Sequence, residues 1–146
     1  MYENEMHVQF SALSQNEAFA RVIASAFASQ MNPTLEEITD IRTAVSEAVT
    51  NAIIHAYERR ADGVVYMDAS IHDAVFEIAV RDTGKGIDDV ALAMQPFYTS
   101  MPNLERSGMG FSVMEAFMDG VVVESQPGKG TNVIMRKIIT GEEEDA

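Results

Sequence analysis

Glu47, Asn51 and His55 recur every fourth residue within "SEAVTNAIIHAY", residues 46–57, in an otherwise apolar run. A spacing of four brings side chains into line along a helix. An amide oxygen can serve a hard cation as ligand, and a carboxylate can serve as a proton acceptor. His55 shares the line, although a satisfied histidine at a helix end is the account its type favours. For the Glu–Asn pair the alternative is an exposed polar stripe, and on this helix alone the two readings balance.

Glycines downstream tip that balance. Gly84 and Gly86 follow Asp82, and Gly108 and Gly110 follow Arg106. Glycine permits positive φ and lets backbone N–H groups come close to a ligand. The second pair runs into a predicted helix start, where free N–H groups and the dipole attract phosphate. Plain turn chemistry is the competing account for either pair taken singly. The common phosphate motifs do not fit. Gly128-Lys129-Gly130-Thr131 lacks P-loop spacing and context, and neither pair continues as a dinucleotide fingerprint. "DTGKGIDD" is not a calcium loop, because its twelfth position is Ala93 instead of Glu.

The elements that must hold these residues follow from periodicity. "MHVQF" alternates as a half-buried strand. Ser14 with Glu17 predicts a capping box opening a helix through about Ser29, and Asn32-Pro33 breaks it. Thr34 with Glu37 predicts a second capped helix running to about Tyr57. Its core face is Ile38, Ile41, Val45, Ala48, Val49, Ala52 and Ala56, with the Glu47–Asn51–His55 line at that face's edge, where a cleft could lie. Strands are predicted over "GVVYMDASI", "AVFEIAVRD", "GVVVES" and "TNVIMRKII", and a helix over "MGFSVMEAFMD". The order β-α-α-β-β-loop-α-β-β predicts a two-layer α/β sandwich, a mixed and mostly antiparallel sheet with helices on one face.

At 146 residues the chain reads as a single domain, with about 141–146 ("GEEEDA") an acidic disordered tail. A net charge of −13 disfavours nucleic acid and anionic lipid as partners and leaves proteins and small molecules. No apolar stretch reaches membrane-span length, and there is no cysteine, which together predict a cytoplasmic protein.

The four motifs in this order resemble the ATP-binding fold shared by DNA gyrase, a class of heat-shock chaperones, mismatch-repair ATPases and sensor histidine kinases. The likeness spans essentially the whole chain. "VSEAVTNAIIHAY", "ERSGMGF" and "MHVQFSALSQNEAFAR" further resemble the bacterial anti-sigma factors with serine-kinase activity, and most of all their sporulation branch. The resemblance implies Asn51 as Mg2+ ligand, Glu47 as the group that orients or deprotonates the nucleophile, and Asp82 as acceptor from the adenine amino group. It implies ATP and ADP contacts at His55, Gly84, Gly86, Thr99, Ser107, Gly108, Met109, Gly110 and Thr131, with Arg106 as a lid cation. Glu17 and Arg21 match a region facing protein partners, a solvated helix face being the alternative on the residues alone. The implied activity is sequestration of a sporulation sigma factor, with phosphorylation of a serine on an anti-anti-sigma partner by a homodimer. ATP would favour the first partner and ADP the second. A stress-response sigma factor, a non-catalytic nucleotide-binding module and a detached histidine-kinase ATP domain are the rivals. The last needs a dimerisation helix with a phospho-accepting histidine, for which the chain has no room. Two departures stand out. The lid reads Thr99-Ser100-Met101-Pro102 where Thr-Thr-Lys-Pro is common, removing one cation for the transferred phosphoryl group, and the helix ends His-Ala-Tyr in place of His-Gly-Tyr.

Overall fold

The computed structural model describes residues 3–58, 62–95 and 110–141. Five strands form one sheet: β1 (Glu3–Ser11), β2 (Val64–His72), β3 (Val75–Asp82), β4 (Gly120–Gln126) and β5 (Gly130–Ile138). Their spatial order is β1-β2-β3-β5-β4, and every pairing is antiparallel. Among the described residues the helices are α1 (Gln15–Ala28), α2 (Leu35–Asn51), α3 (Val90–Ala93) and α4 (Gly110–Phe117), α3 being a single turn that periodicity did not predict.

Alternation on the central strands explains the two layers. Val65, Met67, Ala69 and Ile71 of β2 are buried, as are Phe76, Ile78 and Val80 of β3 and Val133 and Met135 of β5. The register lines them up in rows such as Met67–Val80–Val133 and Ala69–Ile78–Met135. These rows pack with Ile41, Val45, Ala48 and Val49 of α2 and with Ala20, Ala24 and Phe27 of α1 in one core. The predicted two-layer sandwich is therefore the observed one.

The two expected capping boxes differ. Thr34 Oγ1 accepts from the Glu37 N–H at 3.1 Å, and Glu37 Oε1 accepts from the Thr34 N–H at 2.9 Å, so α2 opens as predicted. Glu37 also reaches across the fold: its carboxylate accepts from the Thr140 N–H at 2.7 Å and the Gly141 N–H at 3.1 Å. At α1 the box is absent. Ser14 is itself helical (φ −56, ψ −32) and makes no side-chain cap bond. Glu17 is engaged elsewhere, accepting from the Ser46 hydroxyl of α2.

The end of α2 departs from a regular helix. Residues Ala52–Ala56 form a π-turn, in which the Tyr57 N–H reaches the Ala52 carbonyl at 3.3 Å. Such wide turns are rare and recur at functional sites. The Ala56 carbonyl accepts from the Lys85 N–H at 3.1 Å, which ties the helix end to the loop after β3. Tyr57 reinforces that tie. Its hydroxyl donates to the Val64 carbonyl at 2.8 Å and accepts from the Thr83 N–H at 2.7 Å.

Candidate functional site

A cavity of about 610 Å³ opens between the end of α2, the loop after β3, α3, the start of α4 and the near ends of β3 and β5. Asp82 lies at its base. On β3 it continues the buried row Phe76, Ile78, Val80, so a carboxylate occupies a position that periodicity reserves for the core. Its Oδ1 accepts from the Gly84 N–H at 3.0 Å and the Thr131 N–H at 3.2 Å. Burial pushes the Asp82 carboxyl up, and these two donors oppose that rise. Both bonds fall on one oxygen, so Oδ2 is the acceptor with capacity for a ligand. Val80, Ala52, Ala56 and Val133 line the cavity with apolar surface beside it, a wall suited to a planar base.

The loop carrying Gly84 and Gly86 is pinned from both sides. A β-carbon on Gly84 would overlap the Ala56 carbonyl oxygen, and one on Gly86 (φ +77) would overlap the Gln126 carbonyl oxygen. The Gly128 N–H donates to the Lys85 carbonyl at 2.6 Å. Glycine at both positions is thus a requirement of close backbone approach.

Asn51 and His55 both line the cavity and are half-buried. Gly110 packs directly on Asn51: a β-carbon there would come within 2.8 Å of its Nδ2 and 3.2 Å of its Oδ1. The asparagine and the second glycine motif, 59 positions apart, thus share one wall. This single amide oxygen fits a Mg2+ carried on phosphates, an ion that takes one or two protein ligands and keeps the rest for water and substrate.

Most of the predicted residues that the structure describes converge here. Asn51, His55, Asp82, Gly86, Gly110 and Thr131 line the cavity, and Gly84 hydrogen-bonds to Asp82. Glu47 sits one turn before Asn51, half-buried, and is not among the lining residues. Thr99, Arg106, Ser107, Gly108 and Met109 lie outside the described residues, as does the acidic tail beyond Gly141. Glu17 and Arg21 stand apart from the lining, on α1, with Arg21 Nη2 3.9 Å from Glu17 Oε2. Arg21 Nε is buried and without a hydrogen-bond partner among the described residues.

Sequence reasoning missed Lys85, Asp88, Asp89 and Phe111, which also line the cavity, and Ser125, which stands behind Thr131. Lys85 was within sight, between two glycines already singled out. Ser125 carried no signal, since a serine near a strand end is ordinary.

Residues 10–137 match the family model of the histidine kinase-like ATPase domain. The chain is 58% identical over 137 residues to an anti-sigma F factor of Clostridium botulinum, covering 94% of this chain and 96% of the relative. It is 59% identical over 137 residues to an anti-sigma F factor of Halalkalibacterium halodurans, covering 94% of each. Among solved structures, the RsbU and RsbW domains of Rv1364c from Mycobacterium tuberculosis superpose with a TM-score of 0.68 at 17% identity, over 93% of this chain and 32% of that one. The catalytic domain of the histidine kinase ThkA superposes with a TM-score of 0.59, also at 17% identity, over 95% and 97%. At that identity the two structures speak for the fold alone.

Proposed function

Since this chain belongs to the anti-sigma F factors, built on a histidine kinase-like ATPase domain, we propose that it is an ATP-dependent protein serine kinase that also sequesters a sporulation sigma factor. Its second protein partner would be a small anti-anti-sigma factor carrying the acceptor serine. The proposed setting is the cytoplasm and the proposed form a homodimer. No helix among the described residues is long and apolar enough to cross a membrane.

One observation carries the reading. Motifs scattered from residue 51 to residue 131 meet around a single cavity that has an apolar wall, one accepting carboxylate at its base and an amide at its glycine-bounded wall. That arrangement suits adenosine phosphates: Asp82 Oδ2 accepts from the exocyclic amino group, the apolar wall covers the base, and the Asn51 end faces the phosphates. Asn51 would hold Mg2+, which when bound supplies charge neutralisation on the phosphates. Arg106, Thr99 and the amides of Ser107, Gly108, Met109 and Gly110 would complete the phosphate contacts, with His55 as a further one.

In the transfer itself the serine oxygen forms the new bond to the γ-phosphorus, the bond to the β-phosphate oxygen breaks, and ADP leaves. Glu47 receives the serine proton. Its place outside the cavity lining fits a group that meets the protein substrate from the side. The same placement keeps a second reading alive, a module that binds nucleotide and proteins but transfers nothing. Incubation with Mg2+, γ-labelled ATP and a candidate antagonist decides between them. Label on serine supports the kinase; ADP binding without any label leaves the module. Partner switching is read in the same preparation, with ATP expected to favour the sigma factor and ADP the antagonist.

A further inference from the structure

Lys137 is a buried cation that the site described above does not use. On β5 it continues the buried row of Val133 and Met135, and it is only 8% exposed. Its Nζ donates to Asp40 Oδ2 of α2 at 3.1 Å and to the Phe117 carbonyl at 2.7 Å. Phe117 ends α4, where a carbonyl has no partner within its own helix. One side chain thus ties β5, α2 and α4 together at a single point.

The same three elements meet again at the cavity. α2 brings Ala48 and Asn51 to its wall, α4 brings Gly110 and Phe111, and β5 brings Thr131 and Val133. The start of α4 has no slack there, since a β-carbon on Gly110 would lie 2.8 Å from Asn51 Nδ2. A helix of 8 residues is about 12 Å long, so a tilt of about 10° about its far end carries its start about 2 Å. A displacement of that size undoes contacts to a ligand. A buried ion pair adds little stability that apolar side chains of like volume would not. Its use here is to select one arrangement of the parts that meet at it.

We propose that Lys137 is a positioning residue for the phosphate end of the nucleotide site: bound to Asp40 and Phe117, it fixes α4 against α2 and so sets Gly110 beside Asn51. This rests on the nucleotide reading above and adds to it what holds the phosphate wall in place. Lys137 touches no ligand itself. Recognition of the base by Asp82 does not pass through α4, so the effect falls on the phosphates. A merely structural lysine would support the fold and leave the preference for a phosphorylated ligand unchanged.

The test is titration calorimetry of the full chain with Mg2+, comparing ADP with adenosine, which keeps the base and lacks the phosphates. Lys137→Met keeps much of the volume and removes both bonds. It is expected to reduce the ratio of ADP affinity to adenosine affinity about 3- to 10-fold, within the range by which side chains remote from a ligand tune its binding. Adenosine affinity itself should stay near that of the wild type. Asp40→Ala, at a helix position that alanine suits, is expected to move the ratio the same way by about 2-fold or more. Where Lys137→Met does not fold, Asp40→Ala decides. A folded Lys137→Met protein that keeps the wild-type ratio overturns the proposal, however much stability it has lost, and an equal loss of affinity for both ligands does the same. If the wild type binds neither ligand, or binds adenosine as tightly as ADP, the nucleotide reading itself has failed and this inference falls with it, a result distinct from a ratio that the variants leave unchanged.

Discussion

Two side chains divide the work at the residue scale. Asp82 is buried, and the backbone that surrounds it satisfies one of its oxygens without needing the other. Asp82→Asn keeps the size and an acceptor oxygen but introduces an NH2 group that can face the adenine amino group. ADP affinity is expected to fall by about 10-fold or more, given that hydrogen bonds to charged groups are worth about 1.5–3 kcal/mol. Far-UV circular dichroism should be unchanged, and calorimetry measures the loss. Glu47→Gln is expected to separate binding from chemistry. Nucleotide affinity should stay near that of the wild type while single-turnover phosphotransfer slows about 10²-fold or more, the usual share of a general base. Asp82 was legible through the family resemblance that Asp-x-Gly-x-Gly at a strand end carries, and the buried row of β3 accounts for its inward place. The Ser46–Glu17 bond was not. A local rule assigned Glu17 to the cap of its own helix, and a partner 29 positions away took it instead.

At the scale of elements, the π-turn and the glycine loop form one unit. The Ala56 carbonyl receives Lys85, and Gly84 is pressed against that same carbonyl. Gly84→Ala must push the two segments apart. Overpacking of this kind costs about 1–3 kcal/mol, to be read by urea unfolding, and weaker ADP binding should accompany it. Gly128→Ala is the control. Gly128 has positive φ (+76) but open space around its Cα, so only backbone strain is added and ADP binding should change little. Nearly every strand and helix end lies within one or two residues of its predicted place, because alternation and capping are local signals. The π-turn was illegible, since no residue in "AIIHA" distinguishes a wide turn from a regular one. It follows from what Tyr57 and Lys85 meet in three dimensions.

At the scale of the whole molecule, the buried face of the sheet ends in polar groups at both extremes. In the same row as Ile71 and Phe76 stands Lys137, its Nζ 3.1 Å from Asp40 and 2.7 Å from the Phe117 carbonyl. Nearby along the same strand exit, Glu37 joins the start of α2 to the chain leaving β5. Burial opposes ionisation of Glu37, but its bonds from Thr34, Thr140 and Gly141 prevail and lower it from 4.5 to about 2. Ionised Glu37 therefore stabilises the fold above about pH 4.5, and that contribution fades as the pH falls toward 2. Glu37→Gln is expected to cost about 1–3 kcal/mol at pH 7 and to flatten the acid limb of the stability curve, measured by urea unfolding from pH 7 to 3. At the opposite extreme are Asp82 and Thr131, six positions further along each strand, or about 20 Å. Groups so far apart and sharing no partner act additively. Selection for hardiness to heat or acid therefore has one pole of this sheet to work on, while the other remains free to keep or change its taste in nucleobases.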